Sequence, residues 1–508
     1  MNEKDRKQRL YVAQQAEKVR RGQLSRREFL RRAAVAGFGI SAAGMMGLER
    51  IAAKAVAPKY ARDVFAQADD MNAWLRDVGS RFSGTTVRLS SESTAPSQIT
   101  SGLIADNFTA QTGIEVIWEQ VPLDQVLAKI TQDTATENAS NDIYYLDQSW
   151  LGRFVNDVVD VRETYINSGS DLNMPGYDFA DFIPELVPAI SEYQGTLVGV
   201  PFDIPIFIMS YRKDVFEELG LSVPTTMEEY LNVSKAIFDA GLTNEDGSQI
   251  YGTAGQWRSG HYALQCDWTA WLWGHGGSHT GVDGAVTIND EAGLAAAEYM
   301  LELGKTMPAG ATTWDWSGQG DAVGQGLAGI VINWGEFFPG WDNPEQSKVA
   351  GLMEPAPLPK EIALRTREEC SFDEVPGIGH QGGSCLALSR YSQVADAAWV
   401  FLQWATSKET MALAAAQSNT PVRQSTFDDP RILEKAQPVA GTTRHFPAIV
   451  EAIKNRMGTE PHFPAWADIS STGAVIPNEL GLMTTGAQDP KTTLDNIAKA
   501  IADGIAEG

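Results

Sequence analysis

Tryptophans beside acids are the residues of this chain that could do chemistry. Trp150, Trp257, Trp268, Trp271, Trp273, Trp314, Trp316, Trp334, Trp341 and Trp466 fall mostly at expected loops or strand ends. Asp147 lies near Trp150, Asp267 precedes Trp268, Asp315 separates Trp314 from Trp316, and Glu336 follows Trp334. An indole face stacks on the flat C–H face of a sugar, and a carboxylate accepts from its hydroxyls. The pairing therefore points to binding of a carbohydrate, although any single tryptophan has an equally plain place in a core.

Other constellations are weaker. His275 and His279 are four apart, but Gly276 and Gly277 between them argue against a helix that would aim both at one metal, and no metal site is expected. Tyr144 and Tyr145 are neighbours in an expected strand, so they point to opposite faces and cannot chelate together. Asn244-Glu245-Asp246-Gly247 reads as a turn without the later ligands of a calcium loop. No phosphate-cradling glycine loop or Ser-His-Asp order stands out, and no cofactor is expected. Of three cysteines, Cys370 and Cys385 flank a glycine-rich stretch, which leaves a bridge and free thiols equally open.

The N-terminus carries an address. Ser25-Arg26-Arg27-Glu28-Phe29-Leu30-Arg31-Arg32 precedes an uncharged run from Ala33 to Leu48, 16 residues and too short to span a bilayer. It resembles a twin-arginine export signal, which implies a folded protein working in the periplasm. The signal is placed at 1–55, with small residues at Ala53-Lys54-Ala55 and Ala66-Gln67-Ala68 that would allow an end as late as 68. Residues 1–55 hold 13 of the 40 Lys and Arg and 5 of the 65 acids, which leaves 27 bases, 60 acids and a net charge of −33. So acidic a body repels polyphosphate, and nucleic acid is excluded as a partner.

The elements that must position these residues alternate. Strands are expected at 86–89, 114–118 and 142–146, with helices at 99–111 and 123–134 between them. That order makes a parallel sheet with crossover helices, whose ligands bind at the carboxyl ends of the strands. Those ends carry Glu92 after the first strand and Asp147 after the third. Further on come a strand hairpin ending near Pro201 and Asp203, a buried strand 206–211, a helix closed by Gly220-Leu221, and a helix capped after Pro224-Thr225-Thr226.

Tyr211, Asp214, Phe216, Gly220, Leu221, Pro224, Thr225 and Thr226 stand in the arrangement of extracellular solute-binding proteins of ABC importers, the family of maltose-binding and other sugar-binding proteins. The resemblance runs through Trp271-Leu272-Trp273-Gly274, Gly326 to Trp334, Gly382 to Ser389, Ala395 to Lys408 and Asn419-Thr420-Pro421-Val422-Arg423. It covers nearly all of the chain after Thr85. It implies a two-lobed α/β periplasmic-binding-protein fold of the class II type, with discontinuous lobes joined by a hinge that closes on ligand. Lobe one is expected at 84–204 plus 377–420, and lobe two at 205–376 plus 421–508.

The resemblance also implies ligand contacts from Trp150 with Asp147, Trp334 with Glu336, Trp466, and Asp203 and Gly383 at the two crossovers. It makes Arg423 a ligand or hinge contact. Together with Glu92, Trp257, Trp268 and Trp273, these are the expected ligand-binding residues. The partners implied are a small carbohydrate or polyol and the transmembrane subunits of a permease, with the receptor itself a monomer and not an enzyme. The alternatives are an exported carbohydrate-active enzyme, or the same fold binding a glycerophosphodiester, for which Arg258, Arg423 and Arg444 are candidate anchors, or a polyamine.

Overall fold

A five-stranded sheet organises the first lobe in the order β2-β1-β3-β11-β6. Its members are β1 (Thr86–Glu92), β2 (Glu115–Val121), β3 (Ile143–Asp147), β6 (Val200–Asp203) and β11 (Ser384–Leu388). The computed structural model describes residues 70–361, 369, 374–433 and 437–507. The arginine-rich segment, both candidate cleavage sites and Cys370 lie outside the described residues. From Trp74 onward the described residues form one compact unit.

β1 runs parallel to both β2 and β3, as the alternation of strands and helices requires. The expected helix at 99–111 starts earlier and is broken. It runs over Ala95–Ile104, widens into an i→i+5 turn at Ala105–Thr109, and ends at Gly113 with φ 71°. All five residues of β3 are buried. Tyr144 and Tyr145 diverge as expected: Tyr144 accepts from Ser389 Oγ at 2.9 Å, while Tyr145 donates to Asp203 Oδ2 at 2.9 Å. Behind the sheet, Phe108 packs its ring 5.2 Å from those of Phe401 and Trp404 on the helix Ala395–Ala405, which ends short of the expected Lys408, where a second helix, Lys408–Ala415, begins.

The hairpin expected over 195–203 lies earlier, as β4 (Glu192–Tyr193) with β5 (Thr196–Leu197) turning on Gln194 and Gly195 at φ 48° and 84°, while Val200–Asp203 joins the first sheet as β6. After β6 the chain passes through Ile204-Pro205-Ile206 into β7 (Phe207–Arg212). β7 is the centre of an antiparallel second sheet, β8-β7-β9, with β8 at Ile330–Trp334 and β9 at Met353–Ala356. The return path is β10 (Val375–His380), paired with β12 (Met457–Thr459), then Gln381-Gly382-Gly383 into β11. The two crossings touch: Gly382 N–H donates to Pro205 O at 2.9 Å, and Ile206 bridges Gln381.

Helix boundaries follow local chemistry. Lys213–Leu219 stops at Gly220 with φ 64°, and Met227–Ala240 opens on a capping box in which Thr226 accepts from Glu229 N–H. The helix Tyr262–Gly274 is buried on every side, an interior element rather than an amphipathic one. Among the described residues no helix is long and apolar enough to cross a membrane.

Candidate functional site

The carboxyl ends of both sheets meet at a cleft beside the crossings. Its wall is made by Glu92, Thr94, Leu123, Asp147, Pro205, Tyr262, Cys266, Trp316, Trp334, Glu336 and Gly382. The free space at its floor is about 30 Å³, room for a water or two, so the lobes stand close together. Glu92 ends β1 and Asp147 ends β3, while Trp334 ends β8 and Glu336 sits in the short turn Gly335–Phe337 that follows. These are the positions where open α/β sheets receive ligands.

The cleft is acidic. Burial pushes the carboxyls of Asp147 and Glu336 up to about 7. Glu92 rises well above the carboxylate range through burial, then through the negative charges of Glu336, Asp203 and Asp147. Asp203 rises too, by burial and by Glu336, although Tyr145 and Ser384 N–H donate to it at 2.9 and 3.0 Å. Asp147 caps the turn Gln148–Trp150, its Oδ1 accepting from Ser149 N–H at 2.8 Å. No Lys or Arg lines the cavity.

Trp334 is aimed by a relay. Its Nε1 donates to Gln256 Oε1 at 2.9 Å, Gln256 Nε2 donates to Asp267 Oδ1 at 2.9 Å, and Trp257 Nε1 donates to the other oxygen of Asp267 at 3.0 Å. Phe207 backs the indole at 4.3 Å between ring centroids. Trp257 and Asp267 thus serve the cleft from behind.

Beneath the floor lies a buried polar network. Glu460 accepts from Trp466 Nε1 at 2.8 Å and from Gln265 Nε2 at 3.4 Å, and it pairs with His380 Nε2 at 2.9 Å. Glu374 accepts from Trp273 Nε1 at 2.7 Å and meets His279 Nδ1 at 2.8 Å. Burial would raise Glu460, but the bond and charge of His380, the charge of His279 and the bond from Trp466 together outweigh it, so its carboxyl is lowered. Ligand atoms of Cys266, His380 and Glu460 come within 4.8 Å of one another, a donor set of the kind zinc uses. Here the carboxylate is already engaged by three protein donors, and the group reads as a hydrogen-bonded network. His275 turns instead to Trp271 O at 2.8 Å, away from the partner of His279.

Of the twelve expected site residues, the structure brings Glu92, Asp147, Trp334 and Glu336 to the cavity wall, with Asp203 behind them. The other expected tryptophans do not line the cavity. Trp150 is buried in the turn that Asp147 caps; Trp257, Trp268 and Trp273 are interior; and Trp466 is fully buried against His279 at 4.8 Å. The reason is the all-round burial of the helix Tyr262–Gly274 and of its neighbours, which spends indoles on core volume. Gly383 is buried too, and its neighbour Gly382 lines the cleft. A Cβ on Gly383 would lie 2.7 Å from Ile190 and 2.9 Å from Ile204, so its role is packing at the crossing.

Arg423 is far from this chemistry. It donates to Thr406 O at 2.7 Å, Asp178 O at 2.9 Å and Asp181 at 3.3 Å, and its guanidinium covers the Phe182 ring at 3.9 Å. Arg258 pairs with Asp315 and Arg444 with Asp342 and Glu354, so the three arginines form no common anion site. Cys385 is a buried free thiol. The residues that sequence reasoning missed are Tyr262, Cys266 and the crossing pair Pro205 and Gly382; Trp316 stood among the candidate tryptophans without being chosen. Tyr262 and Trp316 each follow a capping residue, His261 and Asp315, at a helix start, and that is a readable signal.

The family model of the bacterial extracellular solute-binding proteins matches residues 104–438. The chain belongs to that family. Among relatives of this solute-binding protein, a probable amino-acid ABC transporter periplasmic-binding protein of Sinorhizobium fredii is 22% identical over 66% of this chain and 72% of its own. An erythritol/L-threitol-binding protein of Mycolicibacterium smegmatis is 22% identical over 80% of this chain and 83% of its own. The fold matches an ABC transporter solute-binding protein of Agrobacterium radiobacter, solved with ribitol, at a TM-score of 0.70 and 23% identity, covering 83% of this chain and 98% of that one. The solute-binding protein described here is therefore two-lobed, as expected.

Proposed function

We propose that this solute-binding protein captures a small polyhydroxylated solute, a sugar or polyol, between its lobes and delivers it to the transmembrane subunits of an ABC importer. The observation that carries the reading is a cleft at the sheet ends in which Trp334 and Trp316 stand beside Glu92, Asp147 and Glu336, stacking faces beside hydroxyl acceptors. Relatives named for erythritol/L-threitol and solved with ribitol support it. The protein acts as a monomer in the periplasm, exported through the twin-arginine segment. The lobes divide at 84–204 plus 377 onward for the first and 205–376 for the second, with one amendment to the expected return point. The bonds from Arg423 to Thr406, Asp178 and Asp181, and from Arg431 to Glu409, support moving the second boundary from 420 to beyond 431.

A thermal-shift panel of polyols, mono- and disaccharides and glycerophosphodiesters tests the reading. A ligand at a hundredfold excess over Kd adds about 2.7 kcal/mol of stability, an upward shift of several degrees. A shift with phosphodiesters and none with any carbohydrate or polyol overturns it. Carboxyls raised to about 7 beside aromatic residues also suit glycoside hydrolysis. Turnover of oligosaccharides by the purified protein would favour that second reading, while saturable tryptophan quenching without products supports capture.

A further inference from the structure

Among the described residues, no Lys or Arg lines the cleft beside its acids. Glu92 and Glu336 carry no side-chain hydrogen bond or ion pair to any described residue. Asp147, only 3% exposed, gives Oδ1 to Ser149 and leaves its other oxygen without a partner on the cavity wall. Asp203 behind them accepts from neutral donors only. Basic groups near the rim are already engaged: Arg258 with Asp315, and His261 as the cap on Ala263 N–H.

A neutral polyol fits such a wall by halves. Its hydroxyls bring donors and acceptors but no charge, so the buried carboxyls stay drawn to their protonated form and the wall gains no ionic contact. Ionising Glu92 is opposed by burial and then by the negative charges of Glu336, Asp203 and Asp147, so the charged wall needs a positive partner. An ammonium group answers both problems, because it brings donors only and a compensating charge. The faces of Trp334 and Trp316 add a cation–π contribution.

We propose that the cleft takes a polyhydroxylated solute bearing a protonated amine, an amino sugar or amino polyol, with the ammonium between Glu92 and Glu336 and the carbon skeleton against Trp334. The proposal rests on the capture reading above and narrows its ligand. It also has a proton signature. An ammonium beside Asp147 and Glu336, both raised by burial, draws them to the ionised form, so binding near pH 6.5 releases protons.

The test is calorimetry on the purified protein with matched probes: D-glucitol against 1-amino-1-deoxy-D-glucitol, and D-glucose against D-glucosamine and N-acetyl-D-glucosamine. The expected result is affinity about tenfold tighter for each amine than for its neutral parent, with the acetylated form losing the gain. Binding enthalpy of the amine varies with the ionisation enthalpy of the buffer, and Glu336→Gln removes most of the preference for the amine over its neutral parent. Should Glu336→Gln fail to fold, added salt on the unaltered protein reads the same term, weakening the amine alone. Neutral probes that bind as tightly as the amines overturn the proposal and leave the capture reading standing. No binding by either class overturns both.

Discussion

At the residue scale, the carboxyl of Glu336 decides how the cleft responds to pH. Its folded value of about 7 lies above the ordinary one near 4.5, so the folded state holds a proton that the unfolded chain has lost. Stability from this group therefore falls as pH rises from about 4.5 through 7, and the charged form is a burden above that. Glu336→Gln should melt higher than the parent at pH 8, by on the order of 2 kcal/mol, with the gain vanishing near pH 4. Melting curves across that range check it, and a gain independent of pH would count against the assignment. Arg423 supplies the contrasting case. Arg423→Met should cost on the order of 3–5 kcal/mol in denaturant unfolding, because Asp181 and the Tyr177–Phe182 face lose a buried charge partner. Ligand affinity should change by less than about twofold, and a large loss would return Arg423 to the binding site.

At the element scale, the site hangs on strand ends and on two crossings that touch. The relay Asp267–Gln256–Trp334 fixes an indole at the end of β8 from a loop and a buried helix. Gln256→Leu should leave the fold intact, at a cost of about 1–3 kcal/mol from the polar groups it strands, and weaken ligand binding by about tenfold. Titration of tryptophan fluorescence measures it, and unchanged affinity would show that the relay does not aim Trp334. Gly383→Ala tests the crossing. Its Cβ would press on Ile190 and Ile204, a strain of about 1–3 kcal/mol that denaturant unfolding should detect.

At the scale of the whole molecule, the near-absence of free space in the cleft means that any solute of several carbons must open the lobes. The tie between Gly382 and Pro205 leaves few backbone positions to absorb that motion, the arrangement of a hinge. Small-angle scattering should give a smaller radius of gyration with ligand than without, as closure of an opened cleft requires. Identical values would remove hinge closure from the mechanism.

The sequence by itself determined the alternation of strands and helices, because period-two runs such as Ile114 to Trp118 and caps such as Thr226 with Glu229 are local signals. It also put Glu92, Asp147 and Glu336 at strand ends, where they line one cavity, since a strand end is readable from its own residues. It could not sort the tryptophans. Whether an indole faces a cleft or fills a core depends on what packs over it, and Trp268, Trp273 and Trp466 are covered by elements distant in the chain. Only the tertiary structure decided that Arg423 braces one lobe and that four carboxyls converge with no cation among them. Charge convergence is a property of space, and residues 92, 147, 203 and 336 become neighbours only when two sheets and their crossings have formed.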